Sequence, residues 1–556
     1  MASPKQRPSL MGGLIWTALG ILFLLKAFSI GPNFWSVAIR YWPILLILLG
    51  LGKIIDYFRQ KEGVSLRVGE VVGVILLILL GAFFTRLSNS PFPEMVSRFP
   101  IHIGGVDVGG IGEWQGTSFT FNQEASYPIT PAMPLRVENS YGGIVVSPGS
   151  DREIRVRLRK VVYKDDEAQA KLIADEILLE GGPSRLAAPG APKDESFIVK
   201  TNRDSLSNKD YRFRTEMEVF VPRKTQLVVR NTFGEVKVSD LEGKLDLSTS
   251  HKPLEVRDCS AEVVASSRYG DIRLMNLKGN IQVDARGKVY LETIKGDVNV
   301  RNENAPVEIV DVDGKVSVFN TENSVSVSKV LKPVVIDARG SQITVRHLDD
   351  SLKVTTSHRR VEIVDIKSSV TLDTRYCTVS LQDIKGNVEA QSNSDRITAK
   401  NLEGSLKILA QGSGVRLNTI TGPIDIETSF KDVIVNEFAG ACKVTNEHAD
   451  VKLSSWDRLN GDLTVKNHTG DIEVFLAENS GFQIDATARN GRVDSDFPGL
   501  ATEVSGDSGS LKGKVNMGGP KVFLETEYSN IRVRAGRAEQ GDMPKRSQER
   551  RRNSSN

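Results

Sequence analysis

The sequence is poor in the residues that most often carry chemistry or cross-link small domains. Its 556 residues include three cysteines, six histidines and 6% aromatic side chains. It contains no Gly-x-x-x-x-Gly-Lys-Ser/Thr loop, no His-Glu-x-x-His motif and no Cys-x-x-Cys pair. These absences argue against phosphate-loop, zincin and zinc-ribbon or thioredoxin-like sites. We therefore predict that the chain is not an enzyme and has no catalytic residues, no metal ligands and no cofactor.

The sequence also lacks an excess of charge of one sign. Its 72 Lys and Arg residues are balanced by 69 Asp and Glu residues, which leaves a formal net charge of +3. A nucleic-acid-binding protein usually shows a concentrated basic face. We therefore predict no nucleic-acid partner.

An 18-residue repeat runs through the middle of the chain. Residues 351–368 read SLKVTTSHRRVEIVDIKS, and residues 369–386 read SVTLDTRYCTVSLQDIKG. Each repeat has two apolar-x-apolar pairs separated by a polar corner, and each pair predicts a short strand with one inward face. A fixed period of this size is typical of a solenoid. The sequence thus predicts an all-β fold, a β-solenoid (β-helix) of about 18-residue coils, preceded by an α-helical transmembrane anchor.

The positions of the repeat predict what lies inside each coil. Positions 2, 4, 11, 13 and 16 are apolar and should face inward, and Cys259 and Cys442 fall on such positions. These two cysteines should therefore be core residues rather than a disulfide or a metal site. Position 6 is small or polar, as at Asn302, which fits a bend whose backbone is satisfied by side chains. Position 18 is often glycine, as at Gly404, which we interpret as a turn with φ > 0.

Position 8 is often aromatic or histidine, which predicts a discontinuous ladder of rings along one edge. The candidate contact residues are Phe233, His251, Tyr269, His358, Tyr376, Phe430 and His448, with Tyr141 and Tyr528 in the outer coils. Two interpretations stay open: the rings contact glycan, peptide or lipid headgroups, or they only shield a tight turn. The three histidines of this set lie five or six coils apart, roughly 25 Å or more, so they cannot share one metal ion.

The first 87 residues differ in kind from the repeat. Apolar segments lie near residues 12–30, 34–55 and 69–86, with Trp16, Trp35, Tyr41 and Trp42 around them. No small-x-small cleavage site follows the first segment, so an anchor is favoured over a signal peptide. Basic residues concentrate before the first segment and in the 56–70 loop. The positive-inside rule then predicts a multi-pass membrane protein with a cytoplasmic N-terminus, an extracytoplasmic solenoid and two or three spans.

The remaining chain divides by composition. Residues 88–133 are predicted to be a linker, and residues 134–225 an N-terminal cap with a first coil and a helix. Residues 226–480 hold the regular β-solenoid of about fourteen coils, about 65 Å long. Degenerate terminal coils follow at residues 481–536, and residues 537–556 are a basic tail predicted to be disordered.

Two segments resemble known bacterial families. Residues 41–50 (YWPILLILLG) resemble the LiaI/LiaF-like transmembrane region of envelope proteins. The region from Pro134 onward, with turns such as Tyr269-Gly270-Asp271-Ile272, resembles the bacterial "putative adhesin" domain, a repeat domain of unknown function. The resemblance implies an envelope protein of the bacterial cytoplasmic membrane that is linked to stress sensing, and it supplies no catalytic residues.

These observations predict a membrane-anchored, extracytoplasmic, non-catalytic adhesin-like or interaction module of the cell envelope. Its predicted partners are the lipid bilayer and an envelope polymer or protein whose chemistry the sequence leaves open. One alternative is a LiaF-like regulator of envelope stress signalling, in which the membrane segments contact a sensor kinase. A second alternative is a bactofilin-like scaffold built by stacking solenoid ends.

Overall fold

The computed structural model describes residues 101–103, 106–108, 117–129, 133–183, 196–393, 395–455 and 457–536. The predicted membrane segments and the predicted basic tail lie outside these residues. The chain divides into two compact units, Met1–Gln115 and Gly116–Asn556. In the first unit, the described residues are the antiparallel strands Ile101–Ile103 and Val106–Val108.

The second unit contains fourteen regular coils among its described residues, each made of two strands joined by a corner, and additional coils at both ends. The first strands are Lys224–Phe233, Glu242–Thr249, Ser260–Ser267, Ile281–Ala285, Val298–Glu303, Leu352–Ser357, Val370–Arg375, Val388–Asn393, Leu406–Gln411, Ile424–Ser429, Cys442–His448 and Leu463–Thr469. The second strands are Val236–Ser239, Leu254–Arg257, Ile272–Lys278, Val289–Lys295, Val307–Val312, Arg360–Ile366, Thr378–Ile384, Arg396–Leu402, Gly414–Ile420, Val433–Phe438, Val451–Ser454 and Ile472–Leu476. In the remaining two coils, Val316–Val330 and Val334–Leu348 each form both strands without a break.

Equivalent residues of successive coils pair in parallel register. Leu352 pairs with Val370, and Val370 pairs with Val388, so that the register advances by one full repeat each time. The step is one residue shorter from Ile281 to Val298, and it is longer from Cys442 to Leu463. Both irregularities occur where the repeat pattern loses or gains residues. The predicted all-β solenoid, built on the repeat of the sequence, is confirmed.

One continuous apolar core runs through the coils. In the coil at residues 352–366, Val354, Ile363 and Ile366 are each 0% exposed, and they belong to a single cluster that extends from Leu135 to Val533. Each such side chain contributes about 1.5–3 kcal/mol by burial. Because every coil buries its apolar face only against its neighbours, the core grows with coil number.

A left-handed backbone position recurs just before the last inward residue of each coil. Twelve successive coils have φ between 54° and 60° there, at Asp240, Asp258, Asn276, Thr293, Asp311, Lys329, His347, Asp365, Asp383, Asn401, Thr419 and Glu437. Asp and Asn tolerate this conformation better than most residues, and they fill seven of these positions. Side chains link neighbouring coils, as where Asn401 Nδ2 donates to Asp383 Oδ1 at 2.8 Å. This hydrogen bond is the main cause that lowers the pKa of Asp383.

The coils at the N-terminal end are out of sequence order. Leu135–Tyr141 and Ile144–Pro148 form a coil that pairs with the coil at residues 224–239 on one side. On the other side they pair with Phe197–Thr201 and Phe213–Val221. The first coil along the chain therefore lies between two later coils and cannot unfold without breaking its pairing with both.

Antiparallel strands and a helix cover this end. Glu153–Tyr163 pairs with Phe213–Val221, Leu179–Pro183 pairs with Phe197–Thr201, and Ser118–Pro128 pairs with Glu153–Tyr163. The 3₁₀-helix Asn202–Leu206 connects two of the strands. The helix α1 (Glu167–Glu176) buries Ala170, Ile173 and Ala174 in a second small core.

Part of the predicted linker at residues 88–133 is therefore a strand. Ser118–Pro128 alternates inward and outward, and its Phe119 and Phe121 pack against the second core beside α1. Tyr127 of the same strand packs against the main core and meets the Phe197 ring at 5.6 Å. Its Gly- and Pro-rich surroundings conceal this alternation, and only the partner strand at residues 153–163 gives it a sheet to join.

At the C-terminal end, coils are again out of sequence order and are covered by antiparallel strands. Phe482–Ala488 and Val493–Ser495 follow the last regular coil in sequence, but Lys521–Thr526 and Ile531–Ala535 lie between them and that coil. Ser508–Val515 then pairs antiparallel with Phe482–Ala488, and Thr502–Ser505 pairs antiparallel with Ser508–Val515. The degenerate terminal coils are thus interleaved, and antiparallel strands close the parallel stack.

Candidate contact edge

In several coils, a buried polar side chain stabilises the corner after the first strand from inside. Asn302 Nδ2 donates to the Gly287 carbonyl at 2.8 Å, and Asn467 Nδ2 donates to Ala449 O at 2.8 Å and Gly470 O at 2.9 Å. These bonds satisfy carbonyls that the bend removes from the strand ladder. Side chains that point outward at the corner are therefore not needed to satisfy these carbonyls.

The ring residues of the repeat lie at this corner in three groups. The N-terminal ring group is Tyr141, Phe233, His251 and Tyr269, with neighbouring centroids 4.7, 4.4 and 5.1 Å apart. The middle ring pair is His358 and Tyr376, at 5.2 Å. The C-terminal ring group is Phe430, His448, His468 and Tyr528, at 4.9, 5.8 and 5.4 Å. All seven candidate residues therefore share one edge, but the structure does not bring them into one continuous ladder.

His468 is a member that the repeat pattern missed. The gain of residues before the coil at 463–476 changes the spacing, so that His448 pairs with Thr469 and the ring belongs to the preceding residue. Tyr528 reaches His468 because the coil of residues 521–535 is inserted next to the coil of residues 463–476. Only the interleaved coil order brings these two rings together.

Several rings are exposed, and some adopt an unusual backbone conformation. Tyr269, Tyr376, Phe430 and Tyr528 are 53–64% exposed. His358, Tyr376 and Phe430 have φ values of 69°, 55° and 67°, whereas glycines hold the same corner in other coils, with φ of 64° at Gly340 and 71° at Gly412. A residue with a Cβ pays about 1–2 kcal/mol in this region of backbone space.

The N-terminal ring group is partly enclosed. Burial lowers the pKa of His251, so the neutral imidazole is favoured there. The Arg203 guanidinium lies 4.9 Å from the Tyr141 ring centre and 3.9 Å from that of Phe213. Burial lowers the pKa of Arg203 to about 10, which leaves it charged at neutral pH. This cation is therefore already engaged with rings.

Two cavities open beside the ring edge. One, of about 250 Å³, lies next to the N-terminal ring group, and Lys200, Arg203 and Arg230 are among its lining residues. Arg230 is bound by both carboxylate oxygens of Asp246, at 2.9 and 2.6 Å. The other, of about 560 Å³, lies at Phe430, and Arg396, Arg416 and Lys431 line it.

The cysteines are buried in the core and are not placed for chemistry. Cys259, Cys377 and Cys442 are free thiols, each 1% exposed. Burial raises the pKa of Cys259 to about 11 and that of Cys442 to about 12. Cys377 follows an exposed ring in sequence, so its inward position was not evident from the pattern. Within the described part of the chain, no group of three or more His, Cys, Asp or Glu residues is placed to hold a metal ion.

A comparison with solved structures finds only weak similarity to this chain. A "putative cell adhesion protein" from Clostridium sporogenes ATCC 15579 aligns over 75% of this chain and 100% of its own, with 9% identity and a TM-score of 0.12. At these values the likeness carries no argument. No curated protein matches the chain.

Two family matches are more informative. Residues 11–104 match the LiaF transmembrane domain, which indicates a membrane-anchored protein. The described residues include no helix that is long and apolar enough to cross a membrane, and the predicted spans lie outside them. Residues 193–534, more than half of the 556-residue chain, match the family described as Toastrack DUF4097. The two matches together fit a membrane-associated interaction module, and the chain belongs to the Toastrack DUF4097 family.

Proposed function

We propose that this protein is a non-catalytic, adhesin-like interaction module of the bacterial cell envelope, anchored in the membrane, with its solenoid outside the cytoplasm. It contacts its partner through the ring edge. The observation that carries this proposal is the exposure of Tyr269, Tyr376, Phe430 and Tyr528 by 53–64% along one corner. Exposed aromatic side chains are enriched at sites of recognition.

The backbone at the corner supports a contact role over simple shielding. Gly340 and Gly412 show that glycine suits this position with φ > 0. Tyr376 and Phe430 hold the same conformation at a cost of about 1–2 kcal/mol each, and both remain largely exposed. Strain of this kind is most often kept where a side chain serves a function.

Envelope binding tests the proposal. The full-length protein in phosphatidylcholine nanodiscs is mixed with isolated cell envelopes, and co-sedimentation is measured. The double variant Tyr376→Gly/Phe430→Gly removes two rings without straining the corner, and it should lose most of the binding. The matched control is Val264→Ser/Val335→Ser, which removes two apolar side chains that are each 44% exposed and lie on strands. Equal sedimentation of both variants would contradict a role for the ring edge.

The proposed topology has its own test. We propose a multi-pass anchor with a cytoplasmic N-terminus, supported by the distribution of basic residues among the first 87 residues. Met517 is fully exposed, so Met517→Cys should react with an impermeant maleimide in intact spheroplasts. The parent chain is the control, because its three thiols are buried. Labelling that appears only after lysis would place the solenoid in the cytoplasm and overturn this topology.

A second candidate function is regulation of envelope stress signalling. The match of residues 11–104 to the LiaF transmembrane domain supports it. Replacing residues 12–55 by an unrelated membrane anchor should abolish a signalling role and leave envelope binding intact. The bactofilin-like scaffold is not favoured, because antiparallel strands cover both ends of the coil stack and stacking of ends needs open parallel edges.

A further inference from the structure

The larger cavity joins an open aromatic face to the ring edge. Phe430 lines this cavity of about 560 Å³. One face of its ring stacks on His448, with centroids 4.9 Å apart and planes at 12°. Gly412 holds the same corner position in the preceding coil, since Gln411 pairs with Ser429. Gly412 has no side chain to stack there, and a Cβ added to it would meet no atom within 4 Å. Among the described residues, His448 is the only ring that stacks on Phe430.

Among the described residues, none forms an ion pair with the arginines of this cavity. Arg396 and Arg416 line it and are exposed. Neither side chain has a hydrogen bond or ion pair with any other described residue. Lys431 Nζ donates to a backbone oxygen, that of Asp395, at 3.3 Å. The planar guanidinium group can bind a carboxylate or a phosphate with two parallel hydrogen bonds.

The positive charge continues into the preceding coils. Arg396 pairs in register with Thr378, and Thr378 pairs with Arg360. Arg359 and Arg375 lie at the same corner. The side chains of Arg359, Arg360 and Arg375 form no ion pair with any described residue. The cavity is therefore one end of a basic strip that follows the corner over several coils. In contrast, the smaller cavity at the N-terminal ring group has Arg230 bound to Asp246.

Acceptor groups complete the lining. Asp395 and Asp432 also line the cavity, and Thr378 Oγ1 donates to Asp395 Oδ2 at 3.2 Å. Carboxylates accept hydrogen bonds from hydroxyl groups. The cavity thus offers an apolar ring face, two free guanidinium groups and two acceptors.

We infer that this cavity binds an anionic glycan through Phe430, Arg396 and Arg416. The ring supports the apolar face of a sugar, the arginines bind its carboxylate or phosphate groups, and Asp395 and Asp432 accept its hydroxyls. The inference rests on the proposed function and names the chemistry of its partner. A glycan fits better than a nucleic acid, because acidic residues interrupt the basic strip. It fits better than a lipid headgroup, because the two carboxylates are matched to a ligand with many hydroxyls.

The test uses the full-length protein in phosphatidylcholine nanodiscs and calorimetric titration. The probes are oligogalacturonate, phosphorylated dextran and unmodified dextran of matched length. The two acidic glycans distinguish carboxylate from phosphate as the anionic group. At least one of the two acidic glycans should bind more tightly than unmodified dextran, by about tenfold or more.

Variants locate the site. Arg396→Gln/Arg416→Gln should weaken binding of the acidic glycan by about tenfold or more. Phe430→Gly, which suits the local φ of 67°, should also weaken it. The control Arg268→Gln/Arg273→Gln removes the same charge from two exposed arginines in a distant coil, and its affinity should stay within about twofold of the wild type.

Several outcomes would overturn the inference. Equal binding of unmodified dextran would remove the anionic preference, and equal loss in the Arg268/Arg273 control would remove the site. Binding of phosphatidylglycerol vesicles or single-stranded DNA in place of both acidic glycans would assign the cavity to a lipid or a nucleic acid. If neither acidic glycan binds while the wild type still sediments with envelopes, this inference fails and the proposed function stands. If the wild type does not sediment with envelopes, the proposed function fails, and the purified glycans decide the site separately.

Discussion

Replacing Gly404 by alanine should push two neighbouring coils apart. A Cβ at Gly404 would lie 2.4 Å from both the carbonyl carbon and the oxygen of Gly386, and ordinary contact begins at 3.4 Å. The coils would therefore have to separate locally by about 3.4 − 2.4 = 1.0 Å. The obstacle is backbone, which cannot rotate away as a side chain can.

The free-energy cost follows from this displacement. Overpacking of a well-packed site costs about 1–3 kcal/mol. The same movement stretches the hydrogen bonds from Glu403 N to Ile384 O, now 2.9 Å, and from Ser405 N to Asn387 Oδ1, now 3.0 Å. Weakening them adds about 1 kcal/mol. We therefore expect Gly404→Ala to lower the local free energy of unfolding by about 2–4 kcal/mol.

Hydrogen exchange followed by mass spectrometry measures this effect in the full-length protein. A loss of about 2–4 kcal/mol corresponds to exchange that is roughly 30-fold to several hundred-fold faster in peptides covering residues 384–424. A local probe is preferable because solenoids often unfold in parts. Two control variants separate the effect of close coil approach from other effects of adding a methyl group. Gly182→Ala should be neutral, since its Cβ meets nothing within 4 Å, and Gly412→Ala should cost only about 1–2 kcal/mol through its φ of 71°.

If Gly404→Ala exchanges at the same rate as Gly182→Ala, the close approach of the coils is not what requires glycine at this position. A cost no larger than that of Gly412→Ala would lead to the same conclusion. The argument from coil spacing would then be wrong.

Four further predictions concern buried polar and titratable groups. Asn467→Ala should destabilise the adjoining coils by about 2 kcal/mol in urea unfolding, because it deprives two carbonyls of a hydrogen-bond donor. Thr356→Val should be neutral or stabilising by up to about 1 kcal/mol in the same assay, because Thr356 Oγ1 is buried without a partner among the described residues. Burial raises the pKa of Cys442 to about 12 from 9.0, so the native state favours the neutral thiol and its contribution to stability should be lost as pH rises from about 9 toward 12. Replacing Cys442 by valine should reduce that alkaline loss, and an unchanged slope of stability against pH would contradict it. Burial lowers the pKa of His251 from 6.5, so its contribution is present above about pH 6.5 and lost as pH falls; His251→Phe should make hydrogen exchange at residues 224–278 less sensitive to acid, and equal sensitivity would refute this.

The repeat pattern predicted the coil interior well, because each inward position depends only on its neighbours one coil away. Leu352, Val370 and Val388 were expected at one position and are paired in register. The glycine argument was right for some coils and wrong for others. Gly243 and Gly279 have positive φ, but Gly404 does not, and it is required by the nearness of Gly386. Coil-to-coil spacing of backbone atoms cannot be inferred from one residue's conformational preference.

The candidate contact edge was predictable only in part. Equal repeat positions identified Phe430 and His448 as stacked neighbours, and the structure places their centroids 4.9 Å apart. The open cavity beside Phe430 was not predicted, since it depends on how side chains of neighbouring coils are placed in space, and Arg396, Arg416 and Lys431 line it. The recurrent Asp and Asn before the last inward residue were a visible signal for the left-handed corner, at Asp365 and Asp383 for example, but hydropathy alone does not detect it.

The sequence by itself determined the coil, because a fixed repeat with alternating apolar positions leaves few ways to bury its apolar side chains. It also determined which residues share an edge, since parallel register keeps equal positions in line. The tertiary structure alone decided the order of the end coils and the antiparallel strands that close them. The physical reason is that these contacts join segments far apart in the chain, and no local period records which of several compatible strands will pair.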